Sequence, residues 1–209
     1  MTDRLATVPA DAWAELAEGN ARFRTGSPEH PRQDGTRRAG VASGQAPHAA
    51  VLGCSDSRAS AELLFDQGLG DLFVVRNAGQ VLSPDALGSI EYAVAVLGVP
   101  LVVVLAHDAC GAVASAVAAE GADAPALPVH IAELIEPIRV AVRAVPAADR
   151  ADAVAAGARH LQDTVGALLR DSEIVADGVA AGTLAVVGAV YHLADGAVEP
   201  RIAVGVSTA

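Results

Sequence analysis

A chain of 209 residues, 52% apolar, 3% aromatic and carrying a net charge of −11, reads as one globular domain packed with Ala, Val and Leu rather than rings. At this length a single core buries about 70% or more of the surface of the unfolded chain. The acidic balance argues against a nucleic-acid partner, since phosphate binding needs a cationic face, and a chain whose 14 basic residues are all arginine has no lysine for a Walker-type phosphate loop.

The segment from Met1 to Pro9 lacks the basic-then-apolar order of a secretory leader, so a cytoplasmic location is expected. From Ala10 to Arg24 an amphipathic helix is predicted, with Trp13, Leu16, Ala17, Asn20 and Phe23 on one stripe. It packs on its own domain or, beyond the Pro/Gly/Arg-rich stretch from Gly26 to Gly44, forms an arm reaching onto a second subunit. The first buried strand runs from Ala49 to Gly53, followed by a short helix from Ser60 to Asp66. Leu72 to Val75 is a second strand, ending in Arg76-Asn77-Ala78-Gly79. Ser83-Pro84-Asp85 opens a helix to Leu97, with a capping serine and proline in the first turn.

The third strand is Leu101 to Ala106, and Cys110 starts an alanine-rich helix to Glu120. The longest apolar stretch, Ala93 to Ala106, is broken by Gly98 and Pro100 and falls short of a membrane span. After a loop from Gly121 to Val129, helical pattern dominates from Ile131 to about Ala181, interrupted near Pro146. Thr183 to His192 is a fourth strand, and Asp195-Gly196 turns it into a fifth, from Ala197 to Val204. Strands alternating with helices predict a single α/β domain over 1–209, with 1–44 a helical arm and 45–209 the core. Its sheet is mainly parallel, four strands plus an antiparallel edge strand, covered by helices on both faces.

Two strand ends carry the chemistry. Apolar strands of a parallel sheet open at their carboxyl ends into the crevice that α/β folds use for ligands. Strand one delivers Cys54-Ser55-Asp56-Ser57-Arg58 there, and strand three delivers His107-Asp108-Ala109-Cys110-Gly111. Cys54, His107 and Cys110 are soft ligands suited to zinc, three in number, which leaves a tetrahedral position open. Cys110 also stands at a helix N-terminus, whose positive end favours a thiolate. Asp56 and Arg58 can pair as carboxylate and guanidinium beside the metal, keeping Asp56 ionised, able to orient a reactive hydroxide, and out of the open position.

Each residue has a plainer reading. Buried cysteine is a common small apolar residue, His107 can be a satisfied core histidine, and Asp56–Arg58 can be a structural ion pair. A thiol redox pair is a further alternative, though no Cys-x-x-Cys is present. A dinucleotide site fails, because Gly68-Leu69-Gly70 precedes a strand instead of following one.

Cys54-Ser55-Asp56-Ser57-Arg58, Phe73-Val74-Val75-Arg76-Asn77-Ala78-Gly79, Ser89-Ile90-Glu91-Tyr92-Ala93 and His107-Asp108-Ala109-Cys110-Gly111-Ala112 together resemble the β-class carbonic anhydrases, in particular their actinobacterial members. The resemblance implies one zinc ion per subunit held by Cys54, His107 and Cys110, with water, or Asp56 in an inactive form, as fourth ligand. It implies reversible hydration of CO2 to bicarbonate and a proton, with hydroxide on the zinc oriented by the Asp56–Arg58 dyad. Gln45, Phe65, Tyr92 and Gly111 fall at positions it assigns to substrate binding, Phe65 and Tyr92 as the apolar wall. It implies a homo-oligomer, a dimer or dimer of dimers, with N-terminal helices embracing the partner. Val51 stands where the allosteric subgroup has tryptophan, which favours a constitutively open site. The rival expectations are a hydrolase of carbon disulfide or carbonyl sulfide on the same ligands, and a non-catalytic zinc or thiol sensor.

Overall fold

In the computed structural model, residues 5–124 and 126–208 are described; the first four residues of the segment read for a leader lie outside them. Helix α1 (Pro9–Arg24) and a short α2 (Gly35–Val41) precede β1 (Ala49–Cys54). Then come α3 (Ala61–Leu64), β2 (Leu72–Asn77), α4 (Pro84–Ala95), β3 (Leu101–His107) and α5 (Gly111–Ala119). Helices α6 (Val129–Ala144), α7 (Ala153–Asp171) and α8 (Glu173–Ala180) lead to β4 (Ala185–Tyr191) and β5 (Val198–Val204).

The five strands form one sheet in the order β2-β1-β3-β4-β5. The β1–β2, β1–β3 and β3–β4 pairs are parallel, and β5 returns antiparallel to β4 with an irregularity at Gly188/Ala189. The expected α/β domain with one antiparallel edge strand is therefore the observed one. Alternation along the strands sorts the core into two layers. Val51, Val103, Leu105 and Val187 face Trp13 and Leu16 of α1 together with Leu64 and Phe65. Leu52, Val102, Val104 and Val186 face Ile90 of α4 and Leu161, Val165 and Leu168 of α7.

Helix α1 packs against its own domain. Its Asn20 amide donates to the Leu64 and Gly196 carbonyls at 3.0 and 2.9 Å and accepts from Val198 N–H at 2.9 Å. Gly19 lets the helix touch the chain beneath it, since a Cβ there would stand 1.8 Å from the Phe65 carbonyl oxygen. The helix expected from Ser60 to Asp66 is cut to one turn. Asp66 adopts φ 48°; burial pushes its carboxyl pKa up, but hydrogen bonds accepted from Arg22 Nε, Glu29 N–H and His30 N–H outweigh this and lower it. A second buried carboxylate, Asp71, takes Arg32 Nε at 2.6 Å, Arg37 Nη2 at 2.9 Å and Gly68 N–H at 2.8 Å. These two anchors tie the Pro/Gly/Arg-rich stretch, with its unexpected α2, to the domain.

Helix α4 begins as expected, with Pro84 in its first turn and the Ser83 side chain accepting from Ala86 N–H. The long helical stretch after α6 divides at Ser172, whose hydroxyl caps α8 and donates to Glu91 at 2.7 Å. No helix among the described residues is long and apolar enough to cross a membrane.

Candidate metal centre

Cys54 is the last residue of β1 and His107 the last of β3, so the pairing of adjacent parallel strands brings the two to one end of the sheet. Cys110 follows as the N-cap of α5. The turn between them passes through Ala109 at φ 50°, which reverses the chain and returns Cys110 toward β1. All three side chains are buried, each residue 6% exposed. One ligand atom from each lies within 4.8 Å of the others.

The two sulfurs stand 4.0 Å apart as free thiols. Two thiolates sharing a tetrahedral zinc at ~2.3 Å each would stand ~3.8 Å apart, so the spacing already suits a common ion. His107 Nδ1 lies 2.8 Å from the Asp108 carbonyl oxygen. A carbonyl only accepts, so Nδ1 carries the proton and Nε2 offers its lone pair. That Nε2 is buried and, among the described residues, has no hydrogen-bond partner. A buried, unpartnered imidazole nitrogen converging with two thiols is costly as plain structure, and a divalent cation answers all three donors at once. The residues fit zinc.

The electrostatics agree. The Cys54 thiol is drawn down to about 4 by its hydrogen bond with Cys110, against the resistance of burial, with His107 and the Gly79 N–H helping. Cys110 moves the opposite way, pushed up by Cys54 and by burial, because one proton serves both sulfurs. Burial opposes a proton on His107, but the Cys54 thiolate outweighs it and raises that pKa. The cluster thus concentrates negative charge where a cation would neutralise it.

Asp56 lies on the loop after β1. Its Oδ1 accepts from Arg58 Nε and N–H, both at 2.9 Å, and its Oδ2 from Arg58 Nη2 at 2.8 Å. The Arg58 side-chain and backbone hydrogen bonds hold this carboxyl well below the usual carboxylate range. Oδ2 is 3.9 Å from His107 Nε2, so the carboxylate borders the ligand cluster while committed to its arginine. Arg76, on β2, pins the loop from behind by donating to the Cys54 and Asp56 carbonyls at 3.0 and 2.8 Å.

The other expected residues are scattered. Gly111 opens α5, exposed, directly after Cys110. Gln45 is exposed and precedes the start of β1, so ~16 Å of strand separates its end of the sheet from Cys54. Phe65 is fully buried beneath α1 and forms part of the core layer there, which removes it from any solvent-open wall of its own protomer. Tyr92 is 48% exposed on α4, and its aromatic neighbour is Phe73 of β2, with ring centroids 6.2 Å apart. Of these three rings only Tyr92 is exposed; Phe73 is half-buried against the core layer of Ile90 and Val102. Two contributors went unrecognised in the sequence: Gly79, whose N–H meets the Cys54 sulfur at 3.3 Å, and His160, which meets the Gly79 carbonyl.

Comparison with known proteins agrees with this chemistry. Residues 49–198 match the family described as carbonic anhydrase. The chain is 50% identical over 199 residues to a carbonic anhydrase of Mycolicibacterium smegmatis, covering 94% of this chain and 95% of that one. It is 45% identical over 203 residues to carbonic anhydrase 2 of Mycobacterium tuberculosis, covering 95% and 96%. Among solved structures, the Coccomyxa β-carbonic anhydrase in complex with acetazolamide superposes with a TM-score of 0.70 at 28% identity, over 91% of this chain and 86% of that chain.

Proposed function

The chain belongs to the β-class carbonic anhydrases, and from that premise we propose that it catalyses the reversible hydration of CO2 to bicarbonate and a proton at the Cys54–His107–Cys110 centre. The observation that carries the reading is the buried, unpartnered Nε2 of His107 set among two thiols and beside an ionised carboxylate. Cys54, His107 and Cys110 would hold one zinc ion per subunit. Bound there, zinc supplies a Lewis acid that makes water nucleophilic near neutral pH.

The protein's own residues supply the rest. Asp56, kept ionised by Arg58, accepts a hydrogen bond from the attacking water and turns its lone pair toward CO2. Arg58 engages both carboxylate oxygens and so restrains Asp56 from closing onto the ligand cluster as a further ligand. Arg76 fixes the loop on which Asp56 rides. Gly111, exposed beside Cys110, borders open space, since a Cβ there would meet nothing within 4 Å.

The site is completed by a second copy of the chain. Among the described residues strand β2 is an edge of the sheet, paired only to β1, with the half-buried ring of Phe73 on it and the exposed ring of Tyr92 beside it. An edge strand left open in this way invites pairing with another strand. Such an arrangement covers the aromatic pair, makes it the apolar wall for CO2, and lets Gln45 of one protomer approach the Cys54 end of the other. A dimer, or a dimer of dimers, is the working form. It operates in the cytoplasm, where ligand thiols stay reduced.

The test is zinc content together with stopped-flow CO2 hydration, beside a sulfide-release assay with carbon disulfide and carbonyl sulfide. Hydration with one zinc per chain supports the reading. Sulfide release without hydration assigns the site to the analogue hydrolases, and stoichiometric zinc with neither activity assigns it to a sensor or scaffold.

A further inference from the structure

The loop after β2 is held unusually hard for a connection between a strand and a helix. The Asn77 amide donates to the Val81 carbonyl and accepts from Val81 N–H, both at 2.7 Å. Gly79 stands at φ 84° inside that loop, and a Cβ on it would lie 2.7 Å from Ile138 Cδ1 and 2.9 Å from Ala112 Cβ. Helices α5 and α6 therefore clasp the glycine from two sides. Its N–H points at the Cys54 sulfur, 3.3 Å away. Its carbonyl accepts from His160 Nε2 at 2.8 Å.

His160 lies on α7, 81 residues further along the chain, on a buried face otherwise formed by Ala156, Leu161, Thr164, Val165 and Leu168. It is 2% exposed. Helical spacing calls for an apolar residue there, and a histidine is tolerated only when its polar atoms are satisfied. Since a carbonyl accepts, Nε2 is the protonated nitrogen. Burial holds the ring below its ordinary pKa, so it is a neutral donor, the Gly79 carbonyl and Asp163 opposing only in part.

We propose that His160 is a positioning residue of the metal centre: by holding the Gly79 carbonyl it keeps the Gly79 N–H on the Cys54 sulfur, which orients that thiolate and draws electron density from it. A hydrogen bond to a ligating sulfur weakens its donation to the cation, leaving the cation a stronger Lewis acid. The role parallels that of the Asp108 carbonyl toward His107 Nδ1, but it is exercised from a distant helix through one glycine. The inference rests on Cys54 being a metal ligand, as proposed above.

The experiment compares wild type, His160→Leu and His160→Gln, loaded with zinc or cobalt. The leucine variant fills the space without a donor, while glutamine returns an N–H near the Nε2 position. In the leucine variant the Cys54 thiolate loses its fixed orientation, a loss that outweighs its stronger donation, so chelator-driven zinc release is expected to accelerate about 10- to 100-fold, the usual scale for losing a partner behind a metal ligand. Its sulfur-to-cobalt charge-transfer band moves to longer wavelength and the pH midpoint of CO2 hydration moves upward. Glutamine restores all three. Unchanged release, band and midpoint in the leucine variant overturn the proposal, as does a glutamine variant as impaired as leucine in these readouts.

Should the leucine variant fail to fold, wild-type protein loaded with 113Cd decides the matter. Scalar coupling between the Gly79 amide proton and the metal supports the contact, and an assigned, rapidly exchanging Gly79 amide without coupling overturns it. Wild-type protein that takes up no zinc or cobalt contradicts the ligand set itself. Normal uptake with indifferent His160 variants contradicts only the relay.

Discussion

Two kinds of Asp–Arg pairing stand close together in this chain and do different work. Asp71 is buried, with its side chain 1% exposed, and takes Arg32 and Arg37 from the stretch before β1 at 2.6 and 2.9 Å. Asp56 takes Arg58, two residues away, at 2.8 Å, with side chains 16% and 53% exposed. By ion-pair geometry alone the first looks the stronger. What separates them is the neighbourhood: Asp71 fastens one segment to another, whereas Asp56 lies 3.9 Å from an imidazole nitrogen that has no hydrogen-bond partner among the described residues. A salt bridge does not mark a site; an unsatisfied ligand atom beside it does.

Substitutions sharpen that contrast. The largest effect is expected from the orphan ligands: Cys54→Ser or His107→Ala removes zinc and CO2 hydration together, read by metal analysis and stopped flow on the same samples. Next comes Asp56→Asn, which retains zinc but lowers turnover by about 10²–10³-fold, the usual scale for losing a transition-state partner. Its melting temperature stays close to wild type. Asp71→Asn inverts the pattern. Leaving two arginines without their buried carboxylate costs about 3–5 kcal/mol of stability, measured by urea unfolding, with hydration per folded molecule unchanged. Equal losses of turnover from Asp56→Asn and Asp71→Asn would break the distinction.

A smaller, pH-dependent effect separates the ligands from the carboxylate. Protons compete with the metal for Cys54, Cys110 and His107, so zinc retention falls as pH falls, helped by the raised pKa of His107. Asp56 has its folded pKa depressed, so its ionised state persists above that value and is lost only as pH drops through it. Between about pH 7 and pH 5 activity should therefore fall in step with bound zinc. Activity that falls while zinc stays fully bound would mean that Asp56 titrates or moves in that range.

The sheet and the three ligands were legible because each has a local signature. Unbroken apolar runs gave the strands, and the polar residues that follow them gave Cys54, His107 and Cys110 at neighbouring strand ends. Features that depend on distant partners were not legible. The short turn of α3 stops because Asp66 is claimed by Arg22, Glu29 and His30. The helical stretch breaks at Ser172 because its hydroxyl reaches Glu91, 81 residues away. Phe65 and Phe73 are both aromatic residues near the motif, and only the fold buries the first in the core and leaves the second half-buried beside the exposed Tyr92. The contact of His160 with Gly79 spans 81 residues and leaves no periodic trace.

The claim on which the account turns is that Cys54, His107 and Cys110 bind one zinc ion together. X-ray absorption at the zinc edge of stoichiometrically loaded protein tests it most directly. Two sulfur ligands at ~2.3 Å and a histidine nitrogen at ~2.0 Å are expected, with one sulfur missing in Cys54→Ser samples that retain metal. A spectrum with only nitrogen and oxygen ligands, or one unaltered by Cys54→Ser, would contradict it.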